Sequence, residues 1–311
     1  MRVALVFGGN FAESDVSRSS AKNIRDVLQD LGHSIIDIEF DNNIVQNLTN
    51  LKDELDIVFN AMHGKFGEDG RLPALLDILK IPYTHSGVLP SAIAFNKTLA
   101  KEMFRLYGIN TPQAVIVTKE QLKSGQWRTM VQNHNYLQNC KEFFCKPTHD
   151  GSSRDVFLVS DFNAIDFTNY DFITESQNFL IEERIYGKEI NVAVVNNKAI
   201  GMMQVKPKID DFYSYEAKYQ DGASEHVEVD LNYETKKQML QIANSVHNNF
   251  CLRTISRSEF IVTADNRIYM LEVNSHPGFT RTSLVPEIAA KESISYHDIV
   301  NNLIKDAKYD L

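Results

Sequence analysis

The stretch RSEFIVTADNRIYMLEVNSHPG, residues 257–278, decides how the chain folds and where its chemistry sits. Apolar runs at 260–262 and 268–273 flank Asp265-Asn266. Asparagine-type residues tolerate positive φ, so this pair reads as the turn of an antiparallel hairpin. A two-residue turn there sets Glu259 opposite Glu272 and Arg257 opposite Asn274. Because side chains alternate along a strand, all four project from one face.

Opposed carboxylates about 5 Å apart repel each other unless a cation lies between them. Carboxylate and amide oxygens are hard ligands that suit Mg²⁺, which completes its shell with phosphate oxygens and water. The hairpin therefore predicts a divalent-metal site at Glu259, Glu272 and Asn274; the plainer alternative is a solvated, charged outer face. Gly278 then ends a loop in which a backbone N–H can approach a ligand closely. With Arg257 it offers two donors for a developing oxyanion, or it is an ordinary turn.

At 311 residues the chain suits two or three domains. A net charge of −9 speaks against general binding of nucleic acid or acidic membranes, so phosphate would have to be bound locally. No apolar run approaches the roughly 20 residues that cross a bilayer, and residues 1–9 lack the features of a leader. We therefore expect an unsecreted, cytoplasmic protein. Its three cysteines, Cys140, Cys145 and Cys251, lack the spacing of a zinc or redox motif and read as reduced thiols.

Outward from the hairpin, residues 190–195 and 199–204 flank Asn196-Asn197 as a second hairpin. The N-terminal part differs. Residues 3–7 form a continuous apolar run ending at Gly8-Gly9, as in a strand buried on both faces. Ile24, Val27, Leu28 and Leu31 follow at helix spacing, with further strands at 34–40 and 56–62. Leu72, Leu75, Leu76 and Leu79 mark another helix, with Pro73 near its first turn. This rhythm predicts a parallel sheet with ligands at the carboxyl ends of its strands. A helix is expected over 96–107 and a strand over 143–146. Gly8-Gly9-Asn10 lacks the spaced glycines of a dinucleotide fingerprint.

Short motifs punctuate this framework in a fixed order. They are Gly8-Gly9 with Ala12-Glu13 and Val16-Ser17, His63-Gly64 with Gly67-Glu68-Asp69-Gly70, and Pro82-Tyr83-Thr84 with Ser86-Gly87-Val88. Lys97, Lys146-Pro147, Gly151-Ser152-Ser153 and Tyr215-Glu216-Ala217-Lys218-Tyr219 follow, then Leu271-Glu272, Asn274, Pro277-Gly278 and Ser283-Leu284-Val285-Pro286. In this order, over nearly all of its length, the chain resembles the D-alanine:D-alanine ligase family of the ATP-grasp superfamily. The resemblance implies a three-domain ATP-grasp fold of mixed α/β and α+β class. A Rossmann-like parallel-sheet domain (1–96) precedes central (97–184) and C-terminal (185–311) domains, whose antiparallel sheets sandwich ATP beneath a lid at about 208–224.

It also implies roles. Lys97, Lys146 and Ser153 contact ATP, Lys218 meets the γ-phosphate on lid closure, and Glu182 and Glu189 take the adenine amine and ribose hydroxyls. Glu259, Glu272 and Asn274 match ligands of two Mg²⁺ ions, with Mn²⁺ as the alternative, so analogy and hairpin geometry coincide. Glu13 holds the first D-alanine's ammonium, with Ser14 and Asp15 left to cap the following helix, and Ser283 helps hold the second's carboxylate. His63, supported by Glu68, lies near the first substrate. Arg257 and the Gly278 N–H meet the oxyanion, and Tyr219 reaches Ser152 and Glu13. That tyrosine is missing from relatives that accept D-lactate, which favours a dipeptide product. The expected partners are D-alanine, ATP and a second copy of the chain in a homodimer.

Each residue also has a plainer reading: surface solvation for a lone lysine or glutamate, a structural role for His63, ordinary packing for the tyrosines. The chain departs from the usual pattern at Glu259 (commonly aspartate), Arg154-Asp155, Glu183, His85 and His276. Two rivals follow: an ATP-grasp ligase making a D-alanyl ester or a different amide, and a non-catalytic nucleotide-binding regulator.

Overall fold

The computed structural model describes residues 1–311 except Ala12, Asp211, Asp221 and Leu311 and the side chains of Glu216 and Tyr219. Three strands make the first sheet: β1 (Arg2–Phe7), β2 (Ser34–Glu39) and β3 (Ile57–Asn60), parallel in the order β2-β1-β3. The apolar run of β1 is central, with Val3, Ala4, Leu5 and Val6 wholly buried. Its first face packs on the helix Ser14–Asp30 through Ile24, Val27 and Leu28. The third strand is shorter than the run 56–62 suggests. The Asn60 side chain turns back to accept from the Met62 N–H at 3.1 Å, so the ladder stops and the chain is released toward His63.

The second sheet comprises β4 (Ala114–Thr118), β5 (Phe143–Pro147), β6 (Phe157–Val159) and β7 (Asn178–Glu183), antiparallel in the order β4-β7-β5-β6. An aromatic core of Trp127, Phe143, Phe167 and Phe179 backs it. The helix Lys97–Leu106 leads into this sheet, and the Asn96 side chain caps its start by accepting from the Thr98 and Leu99 N–H groups.

The third sheet holds β8 (Lys188–Val195), β9 (Lys198–Pro207), β10 (Ser224–Val227), β11 (Ile255–Val262) and β12 (Ile268–Asn274) in the order β10-β9-β8-β11-β12. Asn196 and Asn197 both adopt positive φ, 53° and 59°, in the two-residue turn between β8 and β9. The last hairpin differs in detail from its sequence reading. The Thr263 N–H donates to the Arg267 carbonyl at 3.0 Å, so the loop is three residues, 264–266, with Asn266 left-handed at φ 63°. This shifts the register by one, and a bulge beside Leu271 shifts it back. The outcome is the Glu259–Glu272 and Arg257–Asn274 pairing that the shorter turn would have set directly.

The sheets occupy successive stretches of chain, yet the cores are shared. The helices Leu284–Lys291 and Tyr296–Lys305 return to the first sheet, so one core joins Val3, Leu5 and Phe59 to Ala193, Met203 and Ile255 of the third. The carboxyl end of β1 is thereby fixed against the loop that follows β12. The architecture is a mixed α/β fold with one parallel and two antiparallel sheets.

Candidate active site

Glu13 sits at the cap position of the helix after β1, but its side chain makes no capping bond. The hydroxyl of Ser14 is occupied with the backbone of Phe11, and Asp15 pairs with Arg18, so neither of the expected residues caps the helix with its side chain. The Glu13 carboxylate instead accepts from Ser152 of the loop after β5. Gly64 and Gly151 leave room for it, since a Cβ at either would crowd its oxygens. Burial pushes this carboxyl from an ordinary 4.5 up to about 7, with Glu68 adding to the rise and Ser152 and His63 opposing it.

His63 stands just beyond the carboxyl end of β3, its Nε2 3.0 Å from Ser20 Oγ and its Nδ1 3.4 Å from Glu68. The His276 ring meets it edge to face at 5.3 Å and stacks on His85 at 3.7 Å. Burial holds both His85, pushed down to about 3, and His276 neutral.

On the acidic ribbon the opposed carboxylates face each other with cations already in attendance. Arg257 donates to Glu259, and Lys97 Nζ lies 3.4 Å from Glu272. The repulsion inferred from sequence is thus met by the chain's own charges. Burial would raise Glu272, but Lys97, Lys218 and Arg257 outweigh it and hold the group down near about 2. Glu189 goes the other way, pushed up to about 8 by burial and by Glu259, against Lys218. Among the described residues no set of three or more His, Cys, Asp or Glu side chains already converges as a metal cage. Glu259, Glu272 and the Asn274 amide nonetheless form a hard-oxygen donor set, and Mg²⁺ is ordinarily held by one or two carboxylates plus substrate phosphate.

The second sheet contributes a buried clamp. Glu182, only 1% exposed, pairs with Lys146 at 2.5 Å through one oxygen and with Lys101 at 2.6 Å through the other. Burial lowers the Lys101 ammonium to about 8, with Lys146 adding to this and Glu182 opposing it. Lys146 reaches the cavity; Lys101, bonded also to Thr111 at 2.8 Å, lies behind it. The departures nearby have structural partners. Glu183 accepts from the Gln113 N–H at 2.8 Å, and Asp155 accepts from the Thr174 N–H at 2.5 Å. Ser152 and Ser153 both adopt left-handed φ, 54° and 57°, which shapes the loop between Gly151 and Arg154.

An excursion leaves the third sheet between β9 and β10 and lies over this loop. Ser153 Oγ donates to the Tyr213 carbonyl at 3.0 Å, and Phe212 packs edge-on against Phe144 of β5 at 5.1 Å. The short helix Tyr215–Tyr219 presents Lys218 inward. The Tyr219 side chain, expected to meet Ser152 and Glu13, lies outside the described residues, as does Ala12.

Two cavities result. One, about 490 Å³, lies between the second and third sheets and is lined by Lys146, Ser153, Glu182, Glu189 and Glu259. The bulge in β12 turns both Leu271 and Glu272 toward it. The other, about 500 Å³, is lined by Glu13, His63, Glu68, Arg257, Asn274, Gly278 and Ser283. Lys97, Ser152, Lys218 and Glu272 line both and form the seam where the cavities meet.

Comparison with known proteins agrees with this arrangement. The family model for the D-ala D-ala ligase C-terminus matches residues 103–305, and that for the N-terminus matches residues 39–86. The D-alanine–D-alanine ligase of Rickettsia akari is 37% identical over 310 residues, covering 99% of this chain and 92% of its own length. The chain belongs to the D-alanine–D-alanine ligase family. The ligase of Wolbachia pipientis wMel is 36% identical over 315 residues, covering 98% and 94%. A D-alanine–D-alanine ligase from Bacillus anthracis, solved with ATP, superposes with a TM-score of 0.79 at 24% identity, covering 98% of this chain and 97% of that one. D-alanyl-alanine synthetase A of Vibrio cholerae gives 0.81 at 23%, covering 97% and 98%. At such identities these two likenesses speak for the ATP-grasp ligase fold.

The sequence reading missed four residues that the structure places around these cavities. Lys101 carried no signal beyond its spacing from Lys97, and Asn60 looked like any strand residue. Asp150, whose carbonyl accepts from Lys97 at 2.7 Å, and Tyr213 come from loops whose course is set by distant packing.

Proposed function

We propose that the chain joins two D-alanine molecules into D-alanyl-D-alanine while cleaving ATP to ADP and phosphate. The supporting observation is the seam: a nucleotide-sized cavity between two antiparallel sheets opens, at Lys97, Ser152, Lys218 and Glu272, onto a second cavity with a carboxylate, Glu13, and an arginine, Arg257. A carboxylate is a poor electrophile. An oxygen of the first amino acid's carboxylate takes the γ-phosphoryl group of ATP, and the bond to ADP breaks. The second amino acid's amine then attacks the carbonyl of that acyl phosphate, and phosphate leaves with its bonding pair. No covalent nucleophile of the protein is required.

In this reading Glu13 binds the first ammonium beside His63 and Glu68, and Ser283 helps hold the second carboxylate. Arg257 and the Gly278 N–H face the tetrahedral oxygen. Lys97, Lys146 and Lys218 neutralise the phosphates and Ser153 donates a hydrogen bond to them, and such positioning and neutralisation is most of what phosphoryl transfer asks of a protein. Glu189 accepts from the ribose hydroxyls. Glu182 accepts from the adenine amine with lone pairs that its two lysines leave free.

Glu259, Glu272 and Asn274 would hold two Mg²⁺ ions, which would supply charge neutralisation on the phosphate oxygens. The excursion at 208–224 shields the acyl phosphate from water. We place the ligase in the cytoplasm, where ATP is available, as a homodimer.

The test is mass detection of dipeptide and ADP from D-alanine, ATP and Mg²⁺ alone. A requirement for D-lactate or another amine would move the assignment to a different ATP-grasp ligase. Nucleotide binding without turnover would leave a regulator.

A further inference from the structure

Behind the amino-acid cavity three histidine rings drawn from distant parts of the chain lie in contact. His85 and His276 are parallel within 10° at 3.7 Å, and the His276 ring meets His63 at 79° and 5.3 Å. His63 lines the cavity, whereas His85 and His276, 4% and 2% exposed, are not among its lining residues. The group therefore has one face toward substrate and two rings behind it.

The backing is tied to the same wall by hydrogen bonds. Asn60 Nδ2 donates to the Gly67 carbonyl at 2.9 Å, beside Glu68, and stands 3.4 Å from His276 Nδ1. Thr84 Oγ1 lies 2.9 Å from His85 Nδ1 and accepts from the Asn60 N–H at 3.0 Å. The N–H of His276, two residues before Gly278, donates to Asn274 Oδ1 at 2.8 Å. His85 adopts φ 70°, a conformation disfavoured for any residue with a Cβ, and in it the ring lies flat on His276. Aromatic rings in contact have preferred relative orientations, so a ring clamped on one side by a parallel partner fixes the angle of the ring it meets on the other.

We propose that His276, clamped between His85 and Asn60, is a positioning residue that sets the His63 ring and thereby the affinity of the first amino-acid subsite. The proposal rests on the ligase reading above and adds a residue that does not touch substrate. Its signature is selective: binding of the first amino acid depends on a flat ring at position 276, and binding of ATP does not.

The full-length His276→Leu and His276→Phe variants test this, because both replace the imidazole with a larger apolar side chain while only Phe keeps a flat ring. ADP release against D-alanine concentration should show the first-site KM raised about five- to ten-fold in His276→Leu. The KM for ATP should stay within about two-fold, and His276→Phe should stay within about two-fold of the parent throughout. The His63 imidazole NMR signals, assigned by loss in His63→Gln, should move in His276→Leu and stay near the parent's in His276→Phe. Equal effects of Leu and Phe, an equal rise in the ATP KM, or unmoved His63 signals would each overturn the proposal. A parent that releases no ADP with D-alanine would overturn the ligase reading instead, and the His63 signals would still decide whether His276 sets that ring.

Discussion

Lys97 Nζ and Glu272 Oε2 lie 3.4 Å apart, joining the first residue of a helix to the acidic ribbon at the point where the two cavities meet. Burial alone would lower the lysine, yet Glu272, Asp150 and Glu259 keep it above its ordinary value. Both partners are therefore ionised through the working range, and removing one charge takes from the other the first-named of several opposite charges that hold it.

Glu272→Gln keeps the shape and deletes that charge. We expect turnover to fall by about 10²-fold or more, since preorganised charge at the transferring group is withdrawn. ADP release measured at limiting Mg²⁺ decides the matter, and near-parent activity there would remove Glu272 from the metal and phosphate machinery.

The raised Glu13 group predicts a pH dependence with a definite sign. Its native state holds a proton that the unfolded chain gives up between pH 4.5 and about 7, so its contribution to stability falls as pH rises through that window and is flat above it. The denaturation midpoint of Glu13→Gln relative to the parent should be higher at about pH 8 than at about pH 5. Substrate binding needs the carboxylate, so log kcat/KM for D-alanine should climb with pH and level off near about 7. A profile flat across that range would contradict the ammonium-binding role.

Lys101→Met opens the clamp behind Lys146. A buried carboxylate losing one of two cations should destabilise the fold by about 3–5 kcal/mol, read from urea unfolding. The ATP KM should rise as Glu182 draws Lys146 inward, with partial recovery in Lys101→Arg. An unchanged ATP KM in a folded Lys101→Met protein would show that the clamp has no bearing on nucleotide.

Phe212→Ala removes the aromatic contact that lays the excursion against Phe144. The contact is of a kind worth about 0.5–1.5 kcal/mol, so closure should weaken by up to roughly ten-fold. ATP cleavage without dipeptide should increase relative to ligation, as the ratio of phosphate to dipeptide would reveal. An unaltered ratio would argue that this segment does not shield the intermediate.

The parts of the fold legible in the sequence were those governed by local rules. The buried run of β1, the Asn196-Asn197 turn and the Asn96-capped helix each follow from periodicity or backbone chemistry within a few residues. The last hairpin is instructive because its two opposed pairs emerged as expected through two departures that cancel, a longer loop and a bulge at Leu271. Neither has a local signature strong enough to read. In the candidate site, acids and lysines announced themselves by type and order. Lys101, Asn60 and the His85–His276 contact did not, because their significance comes from burial and from partners remote in the chain. Glu259 read as a metal ligand; that its carboxylate also accepts from Arg257 on the same strand is a matter of competition between charges, which composition does not reveal.

The common wall formed by Lys97, Ser152, Lys218 and Glu272 also bears on how such a protein is best blocked. A single molecule carrying a nucleotide-like part and an amino-acid-like part, linked through a tetrahedral phosphorus, could thread from one chamber into the next. It would lose its translational freedom once rather than twice, so its grip should exceed what either fragment achieves alone.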